Sequence, residues 1–460
     1  MREPTLLPLD QAELTVDLSG SLMRRTVHPS GLRVLTELMP SARSATIGFW
    51  VGVGSRDEQA EHDDAPGSLG STHFLEHLLF KGTPTRNAYE IATTFDRMGA
   101  EHNALTAKEY TCYYAKVRDA DLPEAVTVLA DMVTNSVLDP DEFETERGVI
   151  LEELAMAADD LADVASEQLF EEVLVDHPLG RPIGGLPETI RNARRDDVER
   201  HYRDRYDPST LVVTAAGAVD HDALVEQIVA ALNASPEERW HTDREAAPVR
   251  RGQASEDGVL SSAAAAAAAP RVCVTERPSE QINLLLGAPG LRANDPQRFA
   301  FGIMNSVLGG GMSSRLFQEI REKRGLAYTA YSFGASYSDA GLFGIYAGMA
   351  PEKAAEVLEL SQVELRKIAD SGITPEEHER ALGQIAGSSA LALEDSETRM
   401  GRLARAELGA GELYDLDTSL ALIGAVTAEE VRAVAATIAE RPLTVVAVGD
   451  VSRSTLRATA

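Results

Sequence analysis

Asp139-Pro140-Asp141-Glu142-Phe143-Glu144 and Thr374-Pro375-Glu376-Glu377-His378-Glu379 carry one signal twice, 235 residues apart. Each sets an N-cap residue before a proline at the first helical position and places acids in the first turn, where backbone N–H groups lack partners. A second match is of a different kind. Leu211-Val212-Val213-Thr214-Ala215-Ala216-Gly217 and Leu443-Thr444-Val445-Val446-Ala447-Val448-Gly449 are apolar strands stopped by glycine, at an offset of 232. Helix starts and buried strands are each common, but two matches of different type at nearly one offset read as an internal duplication.

Within each half the two hydrophobic periods are mixed. Residues 45–51 and 111–117 read as strands, whereas 122–133 and 354–368 carry helical spacing. Strands and helices do not alternate one for one, so the expected class is α+β: two tandem homologous domains, each a largely antiparallel sheet with helices packed on it. The expected layout is an N-terminal extension over 1–24, a first domain over 25–234, a linker over 235–270, a second domain over 271–455 and a tail over 456–460. The linker is read from polar sequence with no apolar period, ending in the alanine run 263–269 before Pro270.

The chain has 460 residues, too many for one ordinary core, and a net charge of -30. Nucleic acid and anionic membranes both require basic surface, so neither is an expected partner. Only Cys112 and Cys273 are present, too few for a disulfide framework or a cysteine-built metal site. The first ten residues interrupt any apolar run with acids and prolines, and no later stretch approaches the roughly 20 apolar residues that span a bilayer. A cytoplasmic location is expected.

The sharpest chemistry lies in Thr72-His73-Phe74-Leu75-Glu76-His77-Leu78-Leu79-Phe80. His73 and His77 stand one helical turn apart, so both imidazoles leave the same face and can bind one metal ion. Glu76 sits beside that ion without being needed as a ligand, in the H-x-x-E-H arrangement of inverzincins. A catalytic zinc usually takes three protein ligands, so a third must come from elsewhere. Candidates lie in the stretch 144–154, where Glu146 and Glu153 are seven apart on one helical face and Glu152 competes for the ligand role.

H-x-x-E-H with a glutamate 76 positions beyond its second histidine resembles the pitrilysin and insulinase family of zinc peptidases. The closest likeness is to the two-domain branch that includes the mitochondrial processing peptidase β subunit. The resemblance implies one zinc per chain on His73, His77 and Glu153, with Glu76 as general base and Glu146 supporting the site. It also assigns Gly99-Ala100-Glu101-His102-Asn103-Ala104-Leu105-Thr106-Ala107 as an edge strand on which a peptide substrate adds as a further strand. Asn103 would hold the substrate backbone, Ala104 would give main-chain contacts, and His102 would be structural. Arg321 and Tyr328, within Ser313 to Tyr328, match the C-terminal signature through which family members bind substrate near the zinc.

At offset 235 the positions of His73, Glu76, His77 and Glu153 become Leu308, Gly311, Met312 and Ser388, so only the first half carries ligand chemistry. The expected activity is a zinc endopeptidase acting on unfolded peptides. The family pattern also implies a dimer, either of this chain with itself or with a homologous subunit. Two rivals are a non-catalytic structural subunit of the same fold, which has no need of a full ligand set, and a metal-dependent hydrolase of other substrates. Departures from the family pattern are an enlarged acidic loop from Asp57 to Gly70, which includes His62, and residues 1–24 with the alanine linker, which have no family counterpart.

Overall fold

A computed structural model describes residues 3–18, 20–61, 67–251 and 271–457. His62, the alanine run and the last three residues lie outside the described residues. Two sheets form the frame. The first has seven strands in the order Glu13–Asp17, Leu22–Val27, Arg33–Leu38, Leu211–Gly217, Ser44–Val51, Thr111–Arg118 and Glu101–Thr106. The second has five, in the order Ala327–Ser336, Gly341–Met349, Ile282–Pro289, Thr444–Gly449 and Val272–Glu276.

Five strands correspond one to one between the sheets, in the same order and sense. Each sheet is antiparallel except for one pair, Arg33–Leu38 with Leu211–Gly217 in the first and Val272–Glu276 with Thr444–Gly449 in the second. The matching strands that revealed the duplication are the inner members of those parallel pairs. Their runs of consecutive apolar residues fit burial on both faces.

One face of each sheet is covered by its own helices, which include Leu122–Asn135 and Ala354–Ser371. The opposite face is covered by a helix lent by the other half. Helix Leu161–Val173 lies on the second sheet, where Ala165, Leu169 and Val173 pack on Leu285, Leu342, Val446 and Val448. Helix Ser396–Leu408 lies on the first sheet, where Met400, Leu403 and Ala404 pack on Trp50, Cys112 and Val212. The two lent helices start 235 residues apart, so the exchange follows the duplication. Glycines make room for them. A Cβ on Gly48 would stand 2.9 Å from Met400 Sδ, and one on Gly287 would stand 2.7 Å from Leu169 Cδ1.

Two expected boundaries are corrected. The described residues of the expected N-terminal extension are not an appendage: Glu13–Asp17 and the start of Leu22–Val27 are strands of the first sheet, and Leu7 is buried against the second half beside a pairing of Thr5–Leu6 with Glu412–Leu413. Within the expected linker, several residues of 235–251 are anchored to the first half. Trp240 is fully buried in the first core, Arg239 stacks on Tyr202 at 4.3 Å, and Arg251 Nη2 reaches Asp57 Oδ2 at 2.6 Å. A single large aromatic anchors such a segment without any apolar period, which is why periodicity missed it.

Candidate metal centre

Helix Ser71–Leu78 is placed from its N-terminus by a side chain remote in sequence. The Glu58 carboxylate accepts hydrogen bonds from Gly70 N and Thr72 N, both at 2.8 Å, and so satisfies N–H groups that a helix start leaves open. Gly70 has φ +83°, the left-handed turn that brings the chain into the helix. Burial pushes the Glu58 carboxyl up to about 7 in spite of these bonds. Thus one acid of the expected acidic loop is a buried clasp, and Asp57 beside it is paired with Arg251.

The apolar face of this helix buries Phe74, Leu75 and Leu78 completely. Phe74 stacks on Phe143, ring centres 4.7 Å apart, and Arg147 lies over Phe143 at 4.9 Å. Phe143 belongs to helix Pro140–Asp159, so this contact sets the two helices against each other and brings Glu146 and Glu153 to the histidines.

His73 Nε2 and His77 Nε2 are 3.3 Å apart, and Glu153 Oε2 lies 3.5 Å from the first and 3.4 Å from the second. A tetrahedral ion with bonds of about 2.0–2.2 Å needs ligand atoms separated by about 3.3–3.6 Å. The donor set and its spacing therefore fit zinc. Among the described residues this is the one group of three His, Cys, Asp or Glu side chains with ligand atoms so close, and Glu152 does not belong to it. Burial and the neighbouring His77 hold His73 below the ordinary imidazole range, which favours the neutral form that a ligand requires.

Around this triangle the polar partners are specific. Glu146, 3% exposed, has Oε2 at 2.8 Å from His77 Nδ1, which leaves Nε2 of that ring to face the triangle. Lys81 Nζ holds the other oxygen, Oε1, at 2.5 Å. Gly184 lies over His73, where a Cβ would stand 3.6 Å from Nδ1 and 2.9 Å from a methyl of Leu154. Glu76 is half-buried on the same helix, and its charge acts on His73.

Strand Glu101–Thr106 is one of the two outer strands of the first sheet and pairs only with Thr111–Arg118 among the described residues. Asn103 is exposed on it, and its Oδ1 accepts from Ala104 N at 2.9 Å. His102 stacks on Phe95 with ring centres 4.2 Å apart. Arg321 and Tyr328 lie on the second half, and among the described residues their contacts are local. The Arg321 guanidinium lies between Phe317 at 4.7 Å and Tyr328 at 4.3 Å and donates to Tyr328 O, on the second half. Tyr328 is 74% exposed. Lys81 and Glu58 escaped sequence reading. Their partners are 65 and 12 or more positions away, and no local pattern marks a lysine or a loop glutamate for such a contact.

Residues 33–185 match the insulinase (peptidase M16) family, and residues 192–385 match the peptidase M16 inactive domain. An uncharacterized zinc protease of Streptomyces coelicolor is 46% identical over 413 residues, which cover 90% of this chain and 86% of the relative. The chain belongs to the M16 family. An uncharacterized zinc protease of Bacillus subtilis is 36% identical over 90% of this chain and 95% of its own length. The M16 fold extends to solved structures of lower identity: a protease from Helicobacter pylori superposes with a TM-score of 0.80 at 23% identity, over 95% of this chain and 99% of that one. The M16 inactive domain structure from Pseudomonas fluorescens gives 0.79 at 21% identity, over 93% and 98%. At that identity the likeness speaks for fold alone.

Proposed function

We propose that this M16 protein is a zinc endopeptidase that hydrolyses unfolded peptides. The observation that carries the reading is the triangle of His73 Nε2, His77 Nε2 and Glu153 Oε2 with sides of 3.3 to 3.5 Å. Zinc, when bound there, supplies Lewis acidity toward a carbonyl and makes water nucleophilic near neutral pH. Glu76 takes the proton of the attacking water and returns it to the leaving amine. Glu146 orients the His77 ring through Nδ1.

Strand Glu101–Thr106 has one edge unpaired among the described residues, open to an extended peptide whose main chain would form the next ladder. Asn103 would exchange its bond to Ala104 N for one to the substrate backbone, freeing that N–H for the incoming strand. Arg321 and Tyr328, stacked and exposed on the second half, would act as substrate contacts where two chains close a chamber, either a homodimer or a pair with a homologous subunit. No helix among the described residues is long and apolar enough to cross a membrane, and both cysteines are free. These features support a cytoplasmic peptidase.

The test replaces Glu76 by Gln and assays a quenched-fluorescent peptide library, with zinc measured on wild type and variant. Equal zinc with cleavage lowered about 100-fold or more is expected from loss of a general base. Wild-type cleavage by the variant would overturn the assignment.

A further inference from the structure

Lys81 lies three residues beyond the end of the ligand helix, where the chain turns through bonds from Phe80 N to His77 O at 3.2 Å and Lys81 N to Leu78 O at 3.0 Å. That turn carries the ammonium to the far side of Glu146. The Glu146 carboxylate is thereby held at both oxygens: Oε1 by Lys81 Nζ at 2.5 Å and Oε2 by His77 Nδ1 at 2.8 Å. Its side chain is 4% exposed and that of Lys81 is 28% exposed, so water has little access to the carboxylate and some to the cation.

A carboxylate bound at one oxygen can rotate or turn its lone pair away from the ring. Bound at both, it has one orientation. The ring of His77 then has one tautomer, with Nδ1 as donor and the Nε2 lone pair directed at the triangle of ligand atoms. A nearly buried carboxylate that lost its cation would have only a neutral imidazole as partner, and a buried anion in that state is costly.

We propose that Lys81 is a positioning residue of the metal centre, acting through Glu146 on His77 to set the affinity for zinc. This rests on the reading of His73, His77 and Glu153 as zinc ligands. Among the described residues the ion pair of Lys81 is with Glu146, and the lysine is not a member of the ligand group. Its effect is therefore on how tightly the metal is held.

The experiment is a zinc competition titration against a chromophoric chelator on the full chain, with wild type, Lys81→Met, Lys81→Arg, Glu146→Gln and the double variant Lys81→Met/Glu146→Gln. Melting of each metal-free protein is recorded alongside. Loss of an outer partner of a ligating histidine typically weakens metal binding about 10- to 100-fold, and that loss is expected for Lys81→Met. Lys81→Arg, which still donates to Oε1, is expected to keep affinity within a few-fold of wild type. The double variant is expected to bind zinc no more weakly than Glu146→Gln, because the lysine acts through that carboxylate.

Zinc affinity of Lys81→Met within twofold of wild type would overturn the proposal. So would losses that simply multiply in the double variant. A Lys81→Met chain that melts far below wild type without metal, with unchanged zinc affinity once folded, would make the lysine a purely structural residue and also overturn it. A wild-type chain that takes up no zinc would instead overturn the ligand assignment beneath the proposal, and the two failures are told apart by that measurement.

Discussion

Arg25 Nε lies 2.8 Å from Glu407 Oε2, with both side chains fully buried and the two residues 382 positions apart in the chain. The arginine is on the first sheet and the glutamate on helix Ser396–Leu408, which the second half lends to that sheet. Glu407 also receives Arg250 at 2.7 Å and Arg33 at 3.5 Å, so one carboxylate serves three guanidinium groups. Backbone oxygens of Pro8 and Gln11 accept from Arg25 Nη1, and those of Ser209 and Val249 accept from Arg33 Nη2. Burial pushes Arg33 down to about 10, a sign of how far this cluster is removed from water.

Replacing Glu407 by Ala leaves those cations in a buried site without their counter-charge. Breaking a buried pair from one side costs about 3–5 kcal/mol, and a loss of that size is expected in urea unfolding. A midpoint shift corresponding to less than about 1 kcal/mol would show that the cluster does not hold the halves together.

Zinc should stabilise the folded chain through the same three side chains that would bind it. A ligand at a hundredfold excess over its Kd stabilises by about 2.7 kcal/mol when only the native state binds. Stripping with chelator is expected to lower the melting temperature by several degrees and re-addition of zinc to restore it. Glu153→Gln should blunt the rise. An equal rise in that variant would exclude Glu153 as a ligand.

The elements that could be read from the sequence are those with local physical signals. Asp139-Pro140 and Thr374-Pro375 start helices because proline and acids suit a first turn, and helices Pro140–Asp159 and Pro375–Ala392 begin there. The i, i+4 spacing of His73 and His77 made one half of the candidate metal centre legible, but spacing alone could not choose between Glu152 and Glu153. The choice depends on how Phe74 seats against Phe143. Nothing local in the sequence marks Arg25, Arg33 and Glu407, because the arginines and their shared carboxylate are more than 370 residues apart. Strand Glu13–Asp17 did have a signal: Leu14 and Val16 alternate with Glu13, Thr15 and Asp17, and both pack against the cluster that holds Trp50.

Two buried groups beside the ligand helix give opposite pH dependences. His201 lies 3.5 Å from Thr72 Oγ1, and burial holds it down to about 4, below its ordinary 6.5. The unfolded chain therefore binds a proton that the folded chain does not, and the stability this group contributes, full above pH 6.5, is lost as pH falls toward 4. Glu58 runs the other way: with its carboxyl raised from 4.5 to about 7, its contribution is full below pH 4.5 and is lost as pH rises through 7. Between about pH 4.5 and 6.5 the two slopes oppose each other. His201→Gln is expected to gain stability on acidification in this window relative to wild type, and Glu58→Gln to lose it, when unfolding midpoints are followed from pH 7.5 to 4.5. Parallel curves for all three proteins would show that neither group titrates with folding.

The charge of -30 bears on substrate choice under the proposed reading of strand Glu101–Thr106 as a peptide-binding edge. Like charge raises the free energy of an acidic peptide approaching the protein and opposite charge lowers that of a basic one, an effect that acts mainly on association. Screening lengths of about 30 Å at 0.01 M salt and about 8 Å at 0.15 M make the effect salt-dependent. Two quenched peptides with the same residues around the cleaved bond, one with Arg-rich flanks and one with Glu-rich flanks, separate this from local specificity. The Arg-rich peptide is expected to have the higher kcat/KM at low salt, through KM more than kcat, and the two values should converge as salt is added. A preference unchanged by salt would locate the discrimination in contacts at the site itself, and equal rates at low salt would leave the acidic surface without a part in substrate selection.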